Sequence, residues 1–405
     1  MRKTGLLLAA AMAALFPGLA GAETKEVKIA VIVPLSGPWA RAGELVRKGV
    51  ELAADDVNKA GGIKSLGGAP LKLVIADAGD TVEKAKNAAQ RLLAQEPDLA
   101  GGTGAWLSSF TLAITELTER AELPWLTLSY SDVITSRGFK YVFQTSPTGD
   151  EQAQKALPTI LELAQATTGK KPASAGIVMD NTAASVSFAK PMREGGLEKA
   201  GIKLLVDETF TPPLSDATPL VQKVRSARPE FLFLLPTAVA DDGLLVQKLS
   251  EMGLSRSRLP VVSNGAHMGS PELLRIAGPD VMEGVLVTLA NWGSKGQEKL
   301  IEDYKKRANE PWLSQDSLSP YGHIRIFAEA LEKAGSADRK KVAEAIRQMD
   351  TRDGPAQYFP GKRVKFDEKG RRVDAPLVII QWQKGEPITV FPPDLAFAKP
   401  VWTKQ

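Results

Sequence analysis

The chain predicts an α/β fold of two doubly wound parallel-sheet lobes that face each other across a ligand cleft. Three observations carry this. Short β-branched runs alternate with helical patterns, an order that puts a parallel sheet between layers of helix. The alternation pauses near Thr145–Asp150 and begins again at Gly176. Behind a leader of 22 residues, about 380 residues remain, too many for one ordinary core, and 43% of the chain is hydrophobic, the content of a packed protein.

The leader reads as a secretory signal peptide. Arg2 and Lys3 precede the apolar run Leu6–Phe16, and Ala20-Gly21-Ala22 is a small-residue cleavage pattern. That run is too short for a comfortable membrane span, and the chain has no Cys to carry a lipid anchor or a disulfide. The expected product is exported and soluble. Removing Arg2 and Lys3 from 51 basic residues leaves 49 against 47 acidic ones, a net charge of about +2. This balance gives no case for nucleic acid, and Arg339-Lys340-Lys341 reads as a solvated helix face.

Lys28–Pro34 is a strand buried on both faces, and Glu44–Ala60 carries apolar residues at a helix period up to the stop at Gly61-Gly62. Leu71–Ala76 is a second strand. Asp80 and Glu83 are spaced as a capping box for a helix to about Ala94. Asp98–Gly101, Pro124–Leu128 and Tyr141–Gln144 continue the strands. The second series runs through strands at Gly176–Met179, Lys203–Thr209, Phe231–Leu235 and Leu259–Val262, with helices at Thr182–Ala200, Ala217–Ala227 and Ala238–Met252. Gly284–Leu289 is a strand open to either lobe. Helices follow near Gly296–Ala308, Pro320–Ala334 and Ala337–Met349, then antiparallel strands at Val364–Phe366 and Leu377–Trp382.

Much familiar chemistry is missing. His267 and His323 are the only histidines, and neither stands at a metal-ligand spacing, so no metal site is expected. No phosphate loop and no nucleophile elbow occur. Gly102-Thr103-Gly104 begins like a dinucleotide fingerprint, but Leu107 stands where its third glycine belongs. Ser108 has no local base to make it a nucleophile. No cofactor is called for, and the reading that remains is binding rather than catalysis.

Gly101–Ser109 stands where a strand hands over to a helix. In an open parallel sheet that junction is where ligands sit. Ser108 and Ser109 are ordinary helix caps when read alone. With the free amides of a helix start they also form a receptor for a carboxylate. Trp39, Trp106 and Tyr130 lie near the same strand ends, as packing or as stacking surfaces.

The order Ile29–Pro38, Asp56–Ile63, Leu71–Asp77, Ser108-Ser109, Pro124–Asp132, Arg137–Thr145 and Tyr321–Gly335 resembles the periplasmic solute-binding proteins of branched-chain-amino-acid-type ABC transporters, the type I periplasmic binding proteins. The match spans nearly the whole exported chain. The resemblance implies two lobes joined by a three-crossover hinge, with the chain leaving the first lobe near Ser146, returning near Gly284 and crossing again near Gly354. The first lobe would then hold residues 23–146 and 284–354, the second 147–283 and 355–405. The resemblance further implies closure on a small molecule in the periplasm by a monomer, and docking on an inner-membrane permease. By position it gives Ser108, Ser109, Ser129 and Ser131 the ligand's carboxylate and part of its ammonium, with Trp39 at the mouth; Tyr130 and Trp106 are ligand-lining candidates by their nearness to these serines in the sequence. An amino acid is the expected ligand. Amides, urea and aromatic acids are the alternatives, as is a sensing rather than a transport partner. In the second lobe Asn181–Ser185 replaces the usual Tyr-Gly pair, and Asn264-Gly265-Ala266-His267 stands where an acidic residue often meets the ammonium. Asp241 is the carboxylate assigned in its place.

Overall fold

The computed structural model describes residues 25–254 and 258–402, so the signal peptide expected at 1–22 lies outside the described residues. Five strands, β1 (Val27–Val33), β2 (Leu71–Asp77), β3 (Leu99–Gly104), β4 (Trp125–Thr127) and β5 (Val142–Gln144), form one parallel sheet in the order β2-β1-β3-β4-β5. A second sheet takes β6 (Ser174–Asp180), β7 (Lys203–Phe210), β8 (Phe231–Leu235), β9 (Val261–Asn264) and β10 (Leu286–Leu289) in the order β7-β6-β8-β9-β10. The parallel strands therefore follow the same winding in both lobes. Each sheet reverses direction beside its first strand, the place where such sheets bind ligands. A two-residue pair, β11 (Asp350–Thr351) and β12 (Val364–Lys365), lies apart from both sheets. Beyond β10 the second sheet is extended antiparallel by β13 (Val378–Gln383) and β14 (Glu386–Phe391), with Lys384-Gly385 as their turn.

The first core forms because β1 is apolar on both faces: Ile29, Ala30, Val31 and Val33 are fully buried. Helix Ala40–Lys59 covers one side with Val46, Val50 and Ala53, and helix Gln315–Ala334 packs beside it. Gly101 and Gly102 belong to β3 rather than to a loop. A Cβ on Gly101 would collide with the Phe327 ring, so the glycine lets this helix lie close on the strand.

Several expectations are corrected. Thr81, not Asp80, caps helix Val82–Gln95, accepting the Lys84 amide at 3.2 Å. Helix Gly149–Thr168 was not anticipated, although the complete capping box of Thr148 and Glu151 signals it. The helix expected over Thr182–Ala200 is interrupted at Met192–Gly196, after Pro191.

The crossings also shift. β10 is hydrogen-bonded between β9 and β13, so the return to the first lobe comes after Leu289 and not near Gly284. Gly354 opens a 3-10 turn that packs on helix Gln315–Ala334. Phe359, Val364 and Phe366 enter the first core, whereas Leu377 enters the second. The last crossing therefore lies between Phe366 and Leu377. It is tied to the first crossing by Arg372, whose amide donates to Gln144 O at 2.9 Å and whose Nε donates to Thr145 O at 2.8 Å. No helix of the described residues is long and apolar enough to cross a membrane.

Candidate functional site

Helix Ser108–Arg120 begins at the carboxyl end of β3. Gly104 has φ +109° and Ala105 φ +47°, a left-handed pair of residues that turns the chain sharply off the strand. The Ser129 hydroxyl pins this turn, lying 3.0 Å from Ala105 O and 2.9 Å from Trp106 O. Gln144 holds the Ser129 segment in turn, donating from Nε2 to Ser129 O at 2.7 Å.

Ser108 stands at the centre and is 1% exposed. Its Oγ accepts the amides of Tyr130 and Ser131, both at 3.1 Å. A hydroxyl has two lone pairs and one proton. Both lone pairs are engaged, so the proton remains, and no acceptor for it occurs among the described residues. The amides of Ser108 and Ser109, in the first turn of the helix, likewise find no protein acceptor there. This wall offers donors at the positive end of a helix.

The opposing wall comes from the second lobe: Ala184 and Ser185 after β6, Leu235 and Thr237 after β8, and Asn264 to His267 after β9. Thr237 Oγ1 donates to Asp180 Oδ2 at 2.6 Å. His267 Nδ1 is 2.6 Å from Asp242 Oδ2, and Nε2 is 3.0 Å from Asn264 O. Burial opposes charge on this imidazole, but the Asp242 carboxylate outweighs burial and raises the His267 pKa.

Between the walls lies a small cavity lined by residues of both lobes. The lobes meet around it. Trp39 Nε1 donates to Thr237 Oγ1 at 3.4 Å, Ser109 Oγ accepts the Ala183 amide at 3.3 Å, and Ser187 Oγ donates to Asp132 Oδ1 at 3.2 Å. Arg41 bridges Glu310 at 2.6 Å and Glu272 at 2.8 Å.

Of the residues expected here, Trp106, Ser108, Ser129 and Tyr130 line the cavity. Ser129 spends its hydroxyl on the loop carbonyls. Tyr130 Oη donates to Gln315 Oε1 at 2.7 Å, and burial raises its pKa. Trp106 Nε1 donates to Asp316 Oδ1 at 2.8 Å, and its ring meets His267 edge-on with centroids 6.2 Å apart. Ser131 is buried behind Ser108, and Ser109 and Trp39 sit on the seam between the lobes. Asp241 is the correction. It does not line the cavity, and its carboxylate accepts the Leu214 amide at 2.9 Å. Its neighbour Asp242 turns toward His267 instead, because successive helix positions point about 100° apart.

Sequence reading missed Thr237, Gln315 and the buried Asp316. Thr237 follows a strand end and could have been found on that ground. The two helix residues lie some two hundred positions from Trp106, and no local pattern announces them. Burial pushes Asp316 up to about 7 against the pull of His267 and the Trp106 donor. No group of three or more His, Cys, Asp or Glu able to hold a metal occurs among the described residues.

The sequence profile of the periplasmic binding protein family matches residues 26–387. A curated relative from Brucella suis, Leu/Ile/Val-binding protein homolog 7, is 28% identical over 402 residues, covering 97% of this chain and 98% of its own. The leucine binding protein of Thermotoga maritima superposes with a TM-score of 0.76 at 22% identity, covering 91% of this chain and 99% of that one. A solute binding protein of an ABC transporter from R. palustris, solved with benzoate, gives a TM-score of 0.76 at 15% identity, covering 94% and 98%. The two structural likenesses carry the fold: two α/β lobes with a cleft between them. This chain belongs to the periplasmic binding protein family.

Proposed function

We propose that the chain is an exported substrate-binding protein that closes its two lobes on a small carboxylate-bearing solute and delivers it to an ABC permease in the inner membrane. It acts by binding, with no turnover of the solute, and a single chain supplies both walls of the site. The observation that carries this reading is the uncommitted Ser108 proton, at the start of a helix and on a residue that lines the cavity between the lobes. A carboxylate is the group that such donors hold best. The names of the compared proteins agree with it, since leucine and benzoate share a carboxylate and little else.

The experiment is a thermal-shift screen of amino acids, amides, urea, hydroxy acids and aromatic acids. A ligand at about 100 times its Kd adds roughly 2.7 kcal/mol of stability, well within detection. The expected hits carry a carboxylate. Hits confined to neutral amides or urea would overturn the assignment.

A further inference from the structure

We infer that the solute is a carboxylate without an ammonium group, and that the closed site selects against α-amino acids. This rests on the proposed function and narrows its ligand.

An ammonium brings three N–H donors and a positive charge, and burying it without partners is costly. No carboxylate lines the cavity to neutralise it. Asp180 does not line the cavity: its Oδ1 accepts the Thr182 amide at 3.0 Å and hydroxyl at 2.7 Å, and its Oδ2 accepts Thr237. The Thr237 proton is spent on that bond. Ser185 Oγ donates to Leu235 O at 2.9 Å. Gln315 Oε1 already accepts Tyr130 Oη and the amides of Ala290 and Asn291.

His267 is closed as well. Asn264 O can only accept, so Nε2 carries a proton toward it. Nδ1 shares a proton with Asp242. Imidazole and carboxylate together are neutral, and the ring presents no lone pair to the cavity. Asp242 does not line it either.

Only neutral acceptors remain: lone pairs on the Thr237, Ser185 and Tyr130 hydroxyls, and one amide oxygen. Asn264 Nδ2 donates to Gln152 Oε1 at 3.0 Å and to Thr288 O at 3.1 Å. Because Thr288 O demands a donor, the amide orientation is set and Oδ1 is the atom left over. Asn264 is 7% exposed. Neutral acceptors with no carboxylate among the lining residues suit a hydroxyl rather than the full charge of an ammonium. The other linings, Trp106, Leu107, Leu128, Leu235 and Ala266, are apolar. The matching chemistry is a monocarboxylate with an uncharged, largely apolar body.

The test is calorimetric titration of the full chain with matched pairs: L-leucine against 2-hydroxy-4-methylpentanoate and 4-methylpentanoate, and L-phenylalanine against 3-phenylpropanoate. The expected result is that a deaminated compound binds at least tenfold tighter than its amino acid. An amino acid that equals or exceeds its deaminated partner overturns this inference while leaving the carboxylate reading intact. Failure of every carboxylate to bind overturns the proposed function and this inference with it.

Discussion

The two walls of the cleft are made from the same β-α winding, yet they are chemically opposite. The first-lobe wall leaves donors open: the Ser108 proton and the amides at a helix start. The second-lobe wall spends its donors on itself: Thr237 on Asp180, Ser185 on Leu235, His267 on Asp242 and Asn264. Open donors ask for an anionic ligand, whereas a wall with its donors spent and no carboxylate has no counter-charge for a cation. On this view affinity resides in the first wall, and the second wall sets what is refused.

Ser108→Ala should strike hardest. Losing one donor to a charged group costs about 1.5–3 kcal/mol, roughly 10- to 150-fold in affinity for the bound carboxylate, read by calorimetry. An equal loss from Ser185→Ala would break the contrast between the walls.

The next effect is on stability. The Asp316 carboxyl is held near 7 by burial. The folded state therefore keeps a proton that the unfolded state has released above about pH 4. Stability from this group is full below the unfolded pKa and falls as pH rises to about 7, by roughly 3 kcal/mol between pH 5 and 8. Asp316→Asn keeps an acceptor for Trp106 Nε1, and chemical denaturation should show that decline flattened. A variant with the wild-type pH slope would remove Asp316 as its cause.

Seam contacts come after these. Ser109→Ala removes one neutral bond to the Ala183 amide and should weaken ligand binding by about 0.5–1.5 kcal/mol, through the closed form alone. The smallest effect belongs to Glu272→Gln. Its partner Arg41 is still held by Glu310, and the pair is partly open to water. A loss under about fivefold is expected, shrinking further as salt is added.

Much of this was legible in sequence. The β-branched runs located the strands, and the strand-to-helix junction at Ser108 located the donor wall, because both are local patterns. The second wall was less so. The choice between Asp241 and Asp242 depends on helix phase, and the partner of Asp242 lies 25 positions away. The lobe boundary at Leu286–Leu289 depended on pairing with Val378–Gln383, which no apolar run can announce. Asp316 became a site neighbour only when the chain returned to the first lobe and brought its helix start under Trp106.

The central claim is that the start of helix Ser108–Arg120 receives a carboxylate. Its most direct test is to titrate 4-methylpentanoate and 4-methylpentanamide into the wild type and into Ser108→Ala. The account predicts that the acid binds the wild type at least tenfold tighter than the amide, and that Ser108→Ala shrinks this preference. An amide that binds as well as the acid, or a preference that survives Ser108→Ala unchanged, would contradict it.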